Sequence, residues 1–351
     1  MAGAFAGFVE AVPMPALLIR RDERIEAANA SALTLLGGGI VGRHFITALR
    51  QPQLLDAIES SLRDRAPRSC PYMTSEGRQD TTFRVSVRPV ELPGGTGLLV
   101  CFEDVTHVEQ MGQMRRDFVA NVSHELKTPL TALIGFIETL QGPARDDAAG
   151  RARFLDIMAA EAHRMNRLVG DLLSLSRVEA EERVRPTAAV ELTELVRSVL
   201  RGLARMAETG GVTLAADLPE APVVIPADAD QLRQVLTNLV ENGIKYAGKG
   251  ARVTVRLDPP DYAPRLRAQA VVLTVADTGP GIDPIHLPRL TERFYRVDSH
   301  RSREMGGTGL GLAIVKHIVN RHRGRLRIES DQGKGTRFLI TLPSGTPGGA
   351  G

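Results

Sequence analysis

The chain has 351 residues, 43% hydrophobic and 24% charged, an ordinary globular balance that excludes wholesale disorder and suits two to three domains of ~100–200 residues each. Cys70 and Cys101 are too few for a disulfide framework, so a reducing, cytoplasmic setting is expected, and Pro13 and Pro15 break the most apolar N-terminal stretch, so neither a signal peptide nor a membrane span is expected within it. Lys and Arg number 44 against 41 Asp and Glu, a formal charge of +3 with no nucleic-acid module in view, which gives no reason to expect a nucleic-acid partner.

Residues 1–105 alternate short apolar runs with turns. Strands are predicted at Pro15–Ile19, from Ile25, at Thr81–Val90 and at Gly97–Glu103, the last after a Pro93-Gly94-Gly95 turn. Short helices are predicted up to Leu36 and around His44–Leu49 and Gln53–Leu62. This succession reads as an α+β, sensor-like domain.

From 106 to 182 the period becomes helical. Met111, Met114, Phe118, Val122, Leu126, Leu130, Leu133, Ile137 and Leu140 form one stripe. After Gln141-Gly142-Pro143 a second stripe runs through Phe154, Met158, Met165, Leu168, Leu172 and Leu175. Two such helices make a hairpin with each stripe half covered, and a second copy completing a four-helix bundle is the simplest cover, so a homodimer is expected.

Residues 183–343 alternate helices (Leu192–Glu208, Ala229–Ala247, Thr308–Arg321) with strands (Val212–Ala216, Val253–Leu257, Val271–Ala276, Leu326–Ser330, Arg337–Leu342), which suits a two-layer sheet with helices on one face. Residues 344–351 are Gly/Pro-rich and are expected to be a disordered tail. The fold class is therefore multidomain α+β. The arginines Arg205, Arg252, Arg265, Arg267, Arg321, Arg323, Arg325 and Arg327 form either local basic patches or a solvated surface.

The chemistry concentrates in a few segments. In Ser123-His124-Glu125-Leu126-Lys127-Thr128-Pro129, helical geometry turns Val122 and Leu126 inward and His124 outward. An outward imidazole beside a carboxylate is either a plain surface histidine or a nucleophile with a base at hand. Thr128 lies one turn on, on the same face as His124, and Pro129 is expected to bend the helix. Asn238 and Asn242 share a helix face near Lys245, a set that suits Mg²⁺ carrying phosphates or ordinary surface amides. Three glycine clusters follow: Asp277-Thr-Gly279-Pro-Gly281, Gly306-Gly307-Thr308-Gly309-Leu310-Gly311, and Gly333-Lys-Gly335. They serve as turns or as close backbone cradles for phosphate. Neither the Walker A nor the GxGxxG spacing is met. Asp277 offers an acceptor for an exocyclic amine such as that of adenine.

Taken in order, these segments resemble the H, N, G1, F and G2 boxes of two-component sensor histidine kinases, with phosphate-regulon sensor kinases closest in character. Phe118–Leu130 is similar to the H box, Asn238–Tyr246 to the N box and Asp277–Ile282 to the first G box. Glu292–Arg296 is similar to the F box and Gly307–Leu312 to the second G box. The N-terminal part is more loosely similar to PAS sensor domains. The resemblance implies ATP-dependent autophosphorylation of His124, transfer to an aspartate of a response regulator, phosphatase activity toward that partner, and phosphate-responsive signalling. It implies Glu125 as general base, with Thr128 positioning water. Asn242, supported by Asn238, is implied to bind Mg²⁺, and Lys245 and Arg296 to meet phosphates. Tyr246 is implied to pack on adenine, and Asp277, Gly279, Gly281, Gly307, Thr308, Gly309, Leu310 and Gly311 to complete the ATP site. Residues 298–307, with Arg301, Ser302, Arg303 and Glu304, are implied to be a mobile lid. A departure is Gly243, where the family more usually has alanine, at a helix-propensity cost of about 1 kcal/mol. Membrane association is expected only through a segment outside this sequence.

Two other readings compete. One is a nucleotide-binding adaptor that signals by contact alone, against which the intact Asn238, Asn242, Asp277 and second G box speak. The other is an ATP hydrolase of the wider superfamily sharing the nucleotide fold, against which Asn238 in place of a water-activating Glu and the preceding His-bearing hairpin speak, since hydrolysis should then be slow. His317 and His322, five apart, do not form a helical zinc pair, and Cys70 and Cys101 read as packing residues. His44 reads as surface or satisfied within the fold rather than a haem ligand.

Overall fold

Inward-facing Phe83, Val85 and Val87 alternate with outward residues and mark the longest strand of the first sheet. The computed structural model describes residues 2–76, 79–92, 95–145, 147–298 and 307–345, so Pro93 and Gly94, the lid stretch 299–306 and most of the expected tail lie outside the described residues. The chain forms two compact units, Met1–Ala120 and Asn121–Gly351.

In the first unit, α1 (Ala2–Glu10) precedes β1 (Ala16–Ile19), β2 (Ile25–Ala28), α2 (Ala30–Leu36), α3 (Phe45–Ala48), α4 (Pro52–Asp64), β3 (Arg68–Glu76), β4 (Gln79–Leu92) and β5 (Gly95–Asp104). The antiparallel sheet runs β2-β1-β5-β4-β3, and Phe45, Leu54, Ile58 and Phe102 fill one face completely. Buried Asn29 fixes the start of α2. Its Oδ1 accepts from Ala16 N (3.0 Å) and Ala32 N (2.9 Å), while its Nδ2 donates to the carbonyls of Val12 and Met14. The strand β3 is absent from the sequence expectation because Pro71 interrupts its pattern; as an edge strand paired only with β4, it tolerates the missing donor. His44 is held within the fold as expected: it lies 2.8 Å from Glu23, caps α3 and stacks on Phe45. Cys70 and Cys101 are free and half-buried against the sheet.

The hairpin helices are α5 (Thr106–Gln141) and α6 (Ala148–Glu181), with Asp147 capping α6 through Ala149 N and Gly150 N. Pro129 does not end α5, whose helix is continuous through it. On the expected stripe Leu130 and Ile137 remain exposed in the single chain, as do Leu155, Val169 and Leu173 on α6. No described helix is long and apolar enough to cross a membrane.

The remainder of the second unit comprises β6 (Ala189–Glu191), α7 (Leu192–Gly210), β7 (Thr213–Asp217), β8 (Val224–Pro226), α8 (Ala229–Ala247), β9 (Arg252–Leu257), β10 (Asp261–Ala263), β11 (Ala268–Asp277), a 3₁₀ turn at Pro284–Arg289, α9 (Gly311–Arg321), β12 (Arg325–Ser330) and β13 (Thr336–Pro343). The sheet order is β12-β13-β11-β9-β7, with β10 on β11 and a separate β6-β8 pair. Only β7 and β9 pair in parallel among its neighbours. Leu239 and Val240 of α8 and Ile314, Val315 and Ile318 of α9 are buried together with Val253, Val255, Leu273 and Ile340 of the sheet. Helices therefore cover the sheet as the sequence expects. The helix expected from Thr308 starts at Gly311, because Gly309 has φ +74° and cannot continue a right-handed helix.

Candidate active site

The sheet ends and helix α8 enclose a cavity of about 770 Å³, within the range of ligand sites. One face of α8 supplies Asn238, Asn242, Lys245 and Tyr246, the i, i+4 spacing carrying both asparagines to the same wall. Asp277 reaches the cavity from the end of β11, where it is flanked by Val253 of β9 and Thr336 of β13. Burial pushes its carboxyl pKa up, against hydrogen bonds from backbone donors that include Gly279 N at 2.8 Å. Gly281, Arg296, Gly307, Thr308, Gly309 and Gly311 complete the predicted set around the same space.

Two glycines are fixed by sterics. At Gly281 (φ +71°) a Cβ would lie 2.0 Å from the Asp331 carbonyl oxygen, and at Gly309 (φ +74°) it would lie 2.9 Å from Phe294 Cα. Gly309 also accepts from Phe294 N at 2.8 Å, which ties the glycine loop to the Glu292–Arg296 segment. Two expected ligand residues stand apart. Leu310 is fully buried in the core, its side chain anchoring the loop, and Gly279 is not part of the cavity wall but donates its N–H to Asp277.

Lys245 pairs with Glu241 at 2.6 Å, so its charge is already balanced on its own helix. Asn238 donates to the Gly311 carbonyl at 3.3 Å, which leaves its amide oxygen to accept or ligate. No group of three or more His, Cys, Asp or Glu suited to a metal occurs among the described residues. The two residues expected to meet the metal, Asn238 and Asn242, offer neutral amide oxygens, which suit a Mg²⁺ that takes the rest of its shell from phosphate and water rather than a protein-only cage.

His124 is exposed on α5, and Thr128 donates its hydroxyl to the His124 carbonyl at 3.2 Å. Glu125 is turned into the protein. Its Oε2 accepts from Arg164 of α6 at 2.9 Å and from Arg296 at 3.1 Å, all three side chains no more than 13% exposed. Arg296 also donates to the Gly307 carbonyl at 2.8 Å, so one guanidinium joins the histidine-bearing helix to the glycine loop.

The sequence reading does not assign the second hairpin helix to the site. Arg167, Gly170 and Asp171 of α6 line the cavity. Thr308 donates to Asp171 Oδ2 at 2.7 Å while its hydroxyl oxygen accepts from Leu310 N, and burial pushes the Asp171 pKa up. The available signal was a carboxylate three residues after Leu168 and four before Leu175, on the apolar stripe itself. His286 and Tyr295, joined at 2.7 Å with Arg289 stacked over the tyrosine ring, form another unforeseen part of the wall.

The end of α6 meets α9 and the Arg293 segment through charged pairs. Glu179 bonds Arg293 and lies 3.4 Å from His317, which is also 3.4 Å from Glu182. Arg321 is no part of a basic patch: it is 8% exposed, held by Glu181 (2.9 Å), Asp228 (3.2 Å) and the Val184 carbonyl. His322 is buried, its Nε2 accepting from Asp228 N at 3.0 Å, and burial pushes its pKa down.

The sequence matches the family His Kinase A (phospho-acceptor) domain over residues 114–181 and the family Histidine kinase-, DNA gyrase B-, and HSP90-like ATPase over residues 227–346. It is 38% identical to the phosphate regulon sensor protein PhoR of Pseudomonas aeruginosa over 92% of this chain and 70% of that one. Identity to the sensor histidine kinase WalK of Bacillus subtilis is 35% over 92% of this chain, which spans only about half (52%) of that relative. The crystal structure of histidine kinase ThkA in complex with response regulator protein TrrA shares the fold, with TM-score 0.53 and 22% identity over 97% of this chain and 98% of that one.

Proposed function

The chain belongs to the two-component sensor histidine kinases and is an ATP-using protein-histidine kinase, and we propose that His124 is its phospho-acceptor, served by the α8–β11–glycine-loop cavity as the ATP site. The observation that supports this most directly is the convergence of Asn238, Asn242, Lys245, Tyr246, Asp277 and the Gly307–Gly311 loop on one space, in a unit whose α5 also presents an exposed His124.

In this reading Asp277 accepts the adenine amino group and Tyr246 packs on the base. Loop N–H groups at the start of α9, with Lys245 and Arg296, meet the phosphates. Asn242 with Asn238 would hold Mg²⁺, which when bound neutralises phosphate charge. An imidazole nitrogen of His124 attacks the γ-phosphorus: the N–P bond forms, the bond to the β–γ bridging oxygen breaks, ADP leaves, and the imidazole proton passes to Glu125. Rate comes from in-line placement and charge neutralisation. The Glu125–Arg296 pair must open before Glu125 can act as that base, so the arrangement seen here precedes or follows transfer.

The same reading extends to domain roles: residues 1–105 a PAS-like sensor, 106–182 a dimerising phosphotransfer hairpin, and 183–343 the catalytic domain. The exposed apolar residues on α5 and α6 support a four-helix bundle between two copies. A response regulator is the proposed acceptor, the class of protein with which ThkA was crystallised, and phosphate-responsive signalling follows the likeness to PhoR. Thr128 would orient water in the reverse, phosphatase step. Incubation with γ-labelled ATP should give acid-labile, alkali-stable label that His124→Gln abolishes; label retained in that variant refutes the assignment.

A further inference from the structure

We infer that Asp171 of α6 is a positioning residue through which the phosphate charge of bound nucleotide releases the nucleotide-binding layer from the hairpin. The inference rests on the reading of the cavity as an ATP site.

The geometry is specific. Asp171 lines the cavity and its carboxylate accepts from the Thr308 hydroxyl at 2.7 Å. Thr308 lies between glycines in the loop whose backbone N–H groups open α9, where an anionic phosphate is best held. The group that fastens this loop to α6 is therefore itself an anion, seated in the space an incoming polyanion must enter. Glu241, one turn from Lys245 on the same wall, adds another carboxylate, as do Asp277, Asp283 and Asp298 elsewhere on the lining. Across this cavity the balancing cations are Arg167, Lys245 and Arg296, of which Lys245 is paired to Glu241 and Arg296 to Glu125.

A neutral tether such as asparagine would fasten Thr308 equally well and would be indifferent to phosphate. A carboxylate makes docking and a terminal phosphate compete, because like charges a few ångströms apart in a half-dry cleft repel strongly. The competition grows with each phosphate, so ATP should loosen the Thr308–Asp171 tie more than ADP does. Loosening frees the glycine loop, and with it the Gly307 carbonyl that anchors Arg296. The nucleotide-binding layer then leaves the arrangement in which Glu125 is occupied.

Asp171→Asn in the full chain tests this, with ATP and ADP affinities measured by calorimetry and α6 protection followed by hydrogen exchange. The parent chain should show increased exchange over residues 165–175 with ATP and less with ADP. The variant should bind ATP about tenfold more tightly, with a smaller gain for ADP, and ATP should no longer raise exchange in α6. Equal gains for both nucleotides, or an unchanged exchange response to ATP, overturn the inference. Asp171→Ser, which keeps a hydroxyl acceptor without charge, should behave like the asparagine variant; if only one of the two shifts the ATP-to-ADP preference, charge is not the cause and the inference fails. A parent chain that binds neither nucleotide refutes the ATP-site reading instead.

Discussion

Gly243→Ala separates helix propensity from packing. Gly243 is buried on α8 between Asn242 and Ile244, and a Cβ built there lies 2.8 Å from Val253 Cγ2 and 3.1 Å from Cγ1. Alanine should gain about 1 kcal/mol in an isolated helix. Here α8 is pressed onto β9, and Val253 is fully buried, with branched methyl groups that have no long arm to swing aside. Overpacking of this kind costs about 1–3 kcal/mol, so the net effect is roughly 0–2 kcal/mol of destabilisation. In a domain of this size that lowers the midpoint by about 2–4 °C per kcal/mol. Thermal unfolding of the full chain, following the transition that ATP shifts, measures it. Val253→Ala alone opens a void, yet adding it to Gly243→Ala should restore about 1 kcal/mol or more relative to the sum of the two. A midpoint that rises in Gly243→Ala, or strict additivity in the double variant, would refute the packing argument. Displacement of α8 also moves Asn242, so ATP affinity should fall in the single variant and recover in the double.

Asp277→Ala should weaken ATP binding by ten- to a hundredfold, the worth of a hydrogen bond to a charged acceptor, with little effect on the far-ultraviolet dichroism. Glu125→Ala removes the acceptor shared by Arg164 and Arg296 at low exposure, and because Arg164 keeps Glu161 and Arg296 keeps the Gly307 carbonyl, the loss should be about 1–3 kcal/mol, which hydrogen exchange should report as lost protection along α6. For His322 the folded pKa lies below the ordinary histidine value, so the unfolded chain binds the extra proton first and stability falls as pH drops through the ordinary histidine range. Melts between pH 7.5 and 5.5 should show a slope of up to about 1.4 kcal/mol per pH unit that His322→Gln flattens; an unchanged slope would show that the proton is taken up elsewhere.

The candidate nucleotide cavity was legible because its residues fall in short, contiguous segments: Asn238 to Tyr246 on one helix face, Asp277 at a strand end, glycines at loop positions where φ is positive or backbones touch. Such signals are local and survive in a linear reading. Leu310 shows what such a reading leaves out: it sits inside a glycine motif, while its side chain is buried in the core. What the sequence hid is the contribution of α6. Asp171 and Arg167 precede the cavity's other residues by more than sixty positions, and only the packing of α6 against α9 carries them there. Arg321 illustrates the converse. In sequence it belongs to an arginine run, and in the fold it is the member that turns inward to Glu181 and Asp228.

The character of the α6 contact suits the reaction proposed for the site. Glu179, Glu181 and Glu182 face Arg293, His317 and Arg321, and Ser174 meets Gln234 at 2.8 Å, so polar pairs flank the tie, beside the buried Leu175 and Val178 of α6. A partly exposed ion pair such as Glu179–Arg293 contributes about 1 kcal/mol or less, so it holds the two layers less firmly than a wholly apolar seam of the same extent would. A permanent seam would leave Glu125 under Arg296 and the cavity fixed relative to His124. A partly polar one is exchanged for water at a smaller cost, which suits the proposed reading, in which the nucleotide layer approaches His124 with ATP and then withdraws so that an acceptor protein can reach the same imidazole.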